Sequence, residues 1–161
     1  MLTRNKNKMS RDIKNCVQIL RDAWAYAQNE FKIKFPSAPQ PFLTCSLRTC
    51  AEQAALFAQG RQPLKVNSLR AIAGLPPIPT LETFKKVTNA NAGQSKHNPD
   101  ANGLSHAFDV GFISVSSGKN YSLRWDDKLF IDFNIIIIKK YPQVSWGGDW
   151  INFKDFPHFE V

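Results

Sequence analysis

One apolar stripe near the start of the chain constrains its fold most strongly. The apolar side chains recur at spacings of four and three residues, which is the period of one helix face; they are Ile13, Val17, Leu20, Trp24, Ala27 and Phe31. The stripe predicts an amphipathic helix over 10–32, ended by prolines at 36, 39 and 41. A helix of this kind needs a second layer to cover its apolar face.

The rest of the chain predicts short strands mixed with helices. Thr49 and Glu52 have the spacing of a capping box and Gly60 supplies a stop, so we expect a helix over 49–59. A run of four isoleucines over 135–138 favours a strand, while the length and charged ends of segment 129–141 permit a buried helix. The remaining predicted elements are strands at 42–45, 107–115, 144–146 and 153–161, a short helix at 66–73, an excursion at 61–87 and a loop at 87–105.

Composition narrows the class of protein. A length of 161 residues with 43% hydrophobic residues fits a single globular domain over 1–161, and no apolar run is long enough to insert into a membrane. The basic first fifteen residues are not followed by the apolar run of a secretory signal, so we expect no export by that route. Three cysteines, an odd number, indicate reduced thiols. The net charge of +8 favours an anionic partner without identifying it.

The three histidines lie in the loop-rich second half of the chain. His106 precedes Asp109 by three positions, and Asp155 precedes His158 by three. Such pairs are often simple hydrogen-bonded neighbours, although two histidines and an aspartate also form a donor set for a catalytic zinc ion. The spacing lacks the contiguous HExxH pattern of a zincin, so spacing alone leaves both interpretations open.

A more specific signal lies in the order and wording of several segments. They are SLRT (46–49) with Gln53 and GR (60–61), VTNA (87–90) with Gly93 and SKHN (95–98), AFDV (107–110), and WGGDW (146–150) with DFPHFE (155–160). Together they resemble the family of zinc D-alanyl-D-alanine carboxypeptidases and L-alanyl-D-glutamate endopeptidases, which includes vancomycin-resistance carboxypeptidases and many phage endolysins. The resemblance covers a catalytic core of about 42–161, and its closing segments are the most specific.

The resemblance implies a fold and a set of roles. The fold is a small α+β domain of the Hedgehog-like peptidase type, with helices packed on a short antiparallel sheet, and it favours a helix at 129–141. One zinc ion would be bound by three metal ligands: His97, Asp109 and His158. Asp155 would be the general base, while Arg48 and Ser95 would contact the substrate.

Two positions leave alternatives to the implied roles. His97 and Asp109 are twelve residues apart, farther than is common in the family, although a longer loop can bulge out at little cost. His106 could replace His97 as a ligand, but residues three apart on a strand point to opposite faces, so we interpret His106 as a substrate-contacting residue of the loop or as a residue that supports the ligands from behind. Glu160 could serve as the base; the resemblance favours Asp155 and leaves Glu160 to orient His158.

The expected function is cleavage of the peptidoglycan stem peptide by a monomeric zinc metallopeptidase. We expect an L-alanyl-D-glutamate endopeptidase that acts as a bacteriolytic phage or prophage endolysin. It would accumulate in the host cytoplasm until the membrane is permeabilised. The alternatives are a D-alanyl-D-alanine carboxypeptidase, an inactive wall-binding relative, and a basic nucleic-acid-binding domain. Scattered Lys and Arg without a nucleic-acid motif argue against the last, so we expect no nucleic-acid partner.

Two further features have alternative interpretations. Trp146 and Trp150 flank a pair of glycines and could line a substrate groove or pack structurally. The basic segment 4–14 is either a solvated end or an element attracted to an anionic wall.

Overall fold

The computed structural model describes residues 9–116 and 120–161, and its regular elements confirm an α+β architecture. The helices are α1 (Gln18–Lys34), α2 (Cys50–Ala58), α3 (Val66–Ile72), α4 (Thr80–Thr83) and α5 (Asp127–Lys140). The strands are β1 (Gln40–Cys45), β2 (Ala107–Ser116), β3 (Asn120–Arg124), β4 (Ser145–Trp146) and β5 (His158–Glu160). Single 3-10 turns lie at Ile13–Asn15, Pro63–Lys65 and Gly147–Asp149. Within the basic segment 4–14, residues 4–8 lie outside the described residues.

The strands form an antiparallel sheet in the order β1-β2-β5-β4, and β3 also pairs with β2. The first residues of β2 pair with β5, so that Asp109 lies directly opposite His158. The later residues of β2, from Phe112 onward, pair with β3. Strand β2 therefore pairs with β1, β3 and β5, and β4 joins the sheet through β5.

Alternation along β2 and β5 separates a core face from an opposite face. Phe108 and Phe112 point into the core from β2, as Phe159 does from β5, while Asp109 and His158 lie at the alternate positions. Helices α1 and α5 cover the core face through an aromatic cluster with ring centroids 5.4–5.9 Å apart, formed by Trp24, Phe31, Phe108, Phe112, Phe133 and Phe159. The opposite face is therefore left free for polar side chains.

Helix α1 begins later than the apolar stripe suggested. Residues 15–17 form a bridge to the loop before β2, since Val17 N donates to Ser105 O at 3.0 Å and Ser105 N donates to Asn15 O at 2.8 Å. These long-range bonds hold the backbone extended at Cys16, and Ile13 lies in a separate 3-10 turn. The predicted start at residue 10 is therefore wrong because tertiary pairing overrides the helical period.

The other predicted elements agree with the structure more closely. The capping box of α2 is present, because Thr49 Oγ1 accepts from Glu52 N at 3.1 Å and Thr49 N donates to Glu52 Oε2 at 2.6 Å. The ambiguous segment is the helix α5. Strand β3 was not predicted, and the predicted strand over 153–161 is confined to His158–Glu160.

The structure also addresses two expectations from composition, that the cysteines are reduced and that no segment inserts into a membrane. Cys16, Cys45 and Cys50 are free thiols; the first two are buried and the third is exposed. None of the helices in the described ranges has the length and hydropathy required to cross a bilayer.

Candidate active site

A cleft of about 630 Å³ lies over the sheet face that carries Asp109 and His158. Its lining includes every site residue predicted from the sequence except His106: Arg48, Ser95, His97, Asp109, Asp155, His158 and Glu160. The junction of β1 and α2, the loop before β2, strand β2 and the C-terminal segment with β5 therefore all contribute residues to one cleft.

The centre of the site is a single oxygen of Asp109. His97 Nε2 and His158 Nδ1 each lie 3.1 Å from Asp109 Oδ1. The pairing of β2 with β5 explains the second distance, because Asp109 and His158 are direct partners across the strands. The imidazole rings of His97 and His158 lie with their centroids 5.1 Å apart. Both imidazoles thus lie within hydrogen-bond distance of the same carboxylate oxygen.

The other nitrogen of each ring is held by a separate acceptor. His97 Nδ1 lies 2.7 Å from Ser46 O, to which it donates, and His158 Nε2 lies 2.8 Å from Glu160 Oε2. When the rings are neutral, these bonds leave the lone pair on the nitrogen that faces Asp109, where a cation could take the place of the proton. A histidine that donates its outer N–H to a carbonyl or carboxylate is the usual arrangement of a metal ligand.

The electrostatics of this cluster favour a positive charge at its centre. Burial lowers the pKa of His97, but the charge of Asp109 and the hydrogen bond to it outweigh burial and raise the pKa to about 10. The pKa of His158 is also raised against the effect of burial, by hydrogen bonds to Asp109 and Glu160. The pKa of Asp109 lies well below its usual value, because the two imidazoles outweigh the burial that would raise it. The donor set fits a bound metal ion.

Cys45 is a fourth potential donor that the sequence analysis did not identify. Its Sγ, a His97 ring nitrogen and an Asp109 carboxylate oxygen all lie within 4.8 Å of one another. Strict alternation would place Cys45 on the core face with Leu43, but a β-bulge between these residues pairs Cys45 with Asp109. A cysteine at the end of the strand before the SLRT segment was the only available signal.

Arg48 is held beside Asp109 by several contacts. Its Nη1 donates to Gln53 Oε1 at 2.9 Å, and its Nη2 lies 3.5 Å from Asp109 Oδ2 and 3.6 Å from Cys45 Sγ. The backbone also ties it to the site, because Arg48 N donates to His97 O at 2.8 Å. The guanidinium is thus positioned at the wall of the cleft before any substrate binds.

Asp155 lies on a tight backbone turn next to His158. Asp155 N donates to Gly147 O at 3.0 Å, and His158 N donates to Asp155 O at 3.1 Å. A Cβ at position 147 would lie 2.5 Å from Asp155 O, so only glycine permits this approach. Burial raises the pKa of the Asp155 carboxyl, and the nearby charge of Asp109 raises it further. A carboxyl with a raised pKa is suited to receive and return a proton.

The two tryptophans of the WGGDW segment have different positions. Trp146 is buried in the core and donates from Nε1 to Phe156 O at 2.7 Å. Trp150 lines the cleft, and its ring centroid lies 5.1 Å from that of His158. Of the two tryptophans, Trp146 therefore packs in the core and Trp150 lines the cleft.

Ser95 also lines the cleft, and its Oγ accepts from His97 N at 3.2 Å, which leaves the hydroxyl hydrogen for another partner.

His106 contacts the loop that follows His97. Its Nε2 pairs with Asp100 Oδ2 at 3.1 Å, and the lining of the cleft does not include it. Asp100 Oδ1 accepts from Asn102 N at 2.8 Å and Leu104 N at 2.9 Å, which closes the loop on itself. In the structure His106 thus stabilises the long loop between His97 and Asp109 and is not part of the cleft lining.

Comparison with known proteins places this geometry in context. No family model matches the chain. It is 26% identical over 157 residues to the peptidoglycan L-alanyl-D-glutamate endopeptidase CwlK of Bacillus subtilis (strain 168), covering 91% of this chain and 87% of that protein. The crystal structure of Serratia marcescens L-Ala D-Glu endopeptidase ChiX aligns with a TM-score of 0.45 and 16% identity, over 96% of this chain and 89% of that one. The similarity to CwlK confirms the resemblance to the family of D-alanyl-D-alanine carboxypeptidases and L-alanyl-D-glutamate endopeptidases.

Proposed function

We propose that this protein is a zinc-dependent peptidoglycan endopeptidase that cuts the stem peptide between L-alanine and D-glutamate. One observation carries the proposal: two imidazole nitrogens lie 3.1 Å from one oxygen of Asp109 while their outer nitrogens are already engaged. This arrangement prepares three lone-pair donors for one cation. The similarity to CwlK supports the choice of substrate and bond.

The metal ligands in this proposal are His97, Asp109 and His158. As long as Cys45 does not bind the ion, three protein ligands leave a fourth position open, as in catalytic rather than structural zinc sites. When bound, zinc would lower the pKa of a coordinated water and polarise the peptide carbonyl. Both imidazoles are buried, so their nitrogens are little exposed to bulk water.

Asp155 is the proposed general base. Its carboxyl lines the cleft beside His158, and its raised pKa makes it a better proton acceptor than an ordinary aspartate. It would take one proton from the attacking water as the new carbon–oxygen bond forms. It would then give that proton to the nitrogen of the leaving D-glutamate as the peptide bond breaks.

Arg48 and Ser95 are the proposed substrate contacts. Because Gln53 and Asp109 hold the Arg48 guanidinium, its charge is in place to stabilise negative charge that develops on the carbonyl oxygen. Ser95 would donate its hydroxyl hydrogen to a backbone carbonyl of the stem peptide. The reaction then needs no large rearrangement of these side chains.

Such cleavage weakens the bacterial wall, and we propose that the protein serves as a bacteriolytic phage or prophage endolysin. It would act as a monomer on the wall after another factor permeabilises the membrane. Its net charge of +8 would promote binding to anionic wall polymers.

The test is to incubate the purified protein with peptidoglycan in the presence of zinc or of a chelator and to identify new amino termini by mass spectrometry. Zinc-dependent appearance of D-glutamate amino termini is the expected result. Release of terminal D-alanine instead would reassign the protein as a carboxypeptidase, and no cleavage with any metal would refute the proposal. His97→Ala should abolish cleavage, whereas the matched control His106→Ala should retain it, because His106 lies outside the cleft lining.

A further inference from the structure

We propose that the exposed face of Trp125 binds a sugar ring of the glycan strand to which the stem peptide is attached. This inference rests on the proposed function and extends it from the peptide to the adjoining carbohydrate. Trp125 lines the cleft, yet 53% of its surface is exposed. An aromatic side chain at the edge of a substrate cleft is a candidate contact for the substrate.

The Trp125 ring is a fixed surface. One face stacks on the ring of Phe130, with centroids 6.1 Å apart and an angle of 18° between the planes. Phe130 is only 1% exposed and packs in turn on Phe112 in the core, with centroids 5.0 Å apart. The indole is therefore anchored through its inner face, and binding a ligand on its outer face costs little side-chain entropy.

The surroundings of Trp125 match the chemistry of a sugar. A sugar ring presents an apolar C–H face bordered by hydroxyl groups, so it needs an aromatic surface with hydrogen-bonding groups nearby. The neighbours in sequence are Arg124 and Asp126, which form an ion pair at 2.9 Å with both side chains about half exposed. They supply hydrogen-bond donors and acceptors at the surface, directly next to Trp125 in the chain.

The connectivity of the substrate places a sugar near the cleft. In peptidoglycan the L-alanine of the stem peptide is joined to the lactyl group of muramic acid, so a single residue separates the cleaved bond from the sugar. One residue spans at most about 3.6 Å. Trp150 lies against His158 at the proposed metal site, whereas Trp125 reaches the cleft from the side of Phe130, whose ring centroid lies 6.3 Å from that of Phe156, the neighbour of Asp155. We therefore assign Trp125 to the sugar rather than to the peptide.

The experiment compares kcat/KM for a disaccharide-tetrapeptide and for the same tetrapeptide without sugar. The wild type should prefer the disaccharide-tetrapeptide. Trp125→Ala should reduce kcat/KM for that substrate by about two- to ten-fold and leave the free tetrapeptide unaffected. Trp125→Phe should restore most of the loss because it keeps an aromatic face. The matched control is Leu123→Ala, which removes a 56% exposed side chain of β3 that does not line the cleft and should change neither substrate.

Calorimetric titration of the chelator-treated protein gives a readout independent of catalysis. Trp125→Ala should weaken binding of the disaccharide-tetrapeptide by the same factor and leave binding of the free tetrapeptide unchanged. An equal loss on both substrates, or a wild type with no preference for the sugar in either assay, would overturn the assignment. Failure of the wild type to cut either substrate would refute the proposed function instead, and the titration would still decide whether Trp125 binds the sugar.

Discussion

Glu160 should control the metal affinity of this protein although it is not one of the proposed ligands. Its Oε2 accepts a hydrogen bond from His158 Nε2 at 2.8 Å, and this bond is the main reason that the pKa of Glu160 lies below its usual value. An ionised acceptor at this position orients the imidazole and makes its other nitrogen a stronger donor. Glu160→Gln keeps the shape of the side chain but removes the charge.

The size of the effect follows from the role of such supporting partners. Their loss weakens metal affinity by about 10- to 100-fold, or about 1.4–2.8 kcal/mol. With free zinc at about 100 times the wild-type Kd, zinc stabilises the folded wild type by about 2.7 kcal/mol. A 30-fold weaker Kd would leave about 0.9 kcal/mol of this stabilisation at the same zinc concentration. The zinc-induced rise in Tm should therefore be smaller by roughly 4–8 °C in the variant.

The assay is zinc competition with a chromophoric chelator, combined with thermal unfolding with and without zinc. Glu82→Gln is the matched control, because Glu82 is an exposed carboxylate paired with Lys85 on the surface and lies outside the cleft lining. It should leave both the affinity and the Tm shift unchanged. A Glu160→Gln protein with wild-type zinc affinity would show that the hydrogen bond between Glu160 and the outer nitrogen of His158 does not strengthen metal binding.

Three further changes test other parts of the structure. Asp155→Asn should keep zinc affinity but reduce kcat by about 10²–10⁴-fold; loss of zinc binding would make Asp155 a ligand instead. In the zinc-free wild type, the pKa of Asp155 measured by NMR titration should lie above that of an ordinary aspartate because the side chain is buried beside the charge of Asp109. Alkylation of the native protein, read by mass spectrometry, should label exposed Cys50 and spare Cys16, because burial raises the pKa of Cys16 to about 12. Rapid labelling of Cys16 would contradict its burial. Phe133→Ala should lower the free energy of unfolding by about 3–5 kcal/mol, measured with urea, because Phe133 is buried and contacts Phe159 among other rings; a loss below about 1 kcal/mol would show that the cluster is not tightly packed.

Local signals in the sequence predict those parts of the fold that depend on local physics. The Thr49 and Glu52 pair predicts the start of α2 because a capping box is satisfied within one helical turn. The start of α1 was not predictable in this way, because it depends on hydrogen bonds between residues 15–17 and Ser105. Strand β3 was missed for the same reason, since its pairing with β2 determines that it is a strand.

In the candidate site, too, residues in recognisable local segments were predicted, whereas positions that depend on long-range contacts were not. His97, Asp109 and His158 were identified through the resemblance of their segments, and the structure brings them together around one oxygen. Cys45 was missed because a bulge, which alternation cannot predict, turns it toward Asp109. Strand alternation predicted that His106 belongs to the substrate loop rather than to the ligand set, and no sequence rule predicts the pairing of its ring with Asp100, which closes that loop.

The geometry of the site explains why a long loop between His97 and Asp109 leaves the donor atoms together. Asp109 and His158 are separated by the spacing of paired strands, so the sheet determines their distance. His97 lies on a loop, yet its Nδ1 bonds to Ser46 O and its carbonyl accepts from Arg48 N, so the end of β1 positions it. The donors therefore depend on β1, β2 and β5, and on Ser105, whose Oγ donates to Ser46 O at 3.0 Å, rather than on residues 99–104. Because closing a longer loop adds only about 0.6 kcal/mol for each doubling of its length, the extra residues can extend outward and fold on Asp100 without moving the site.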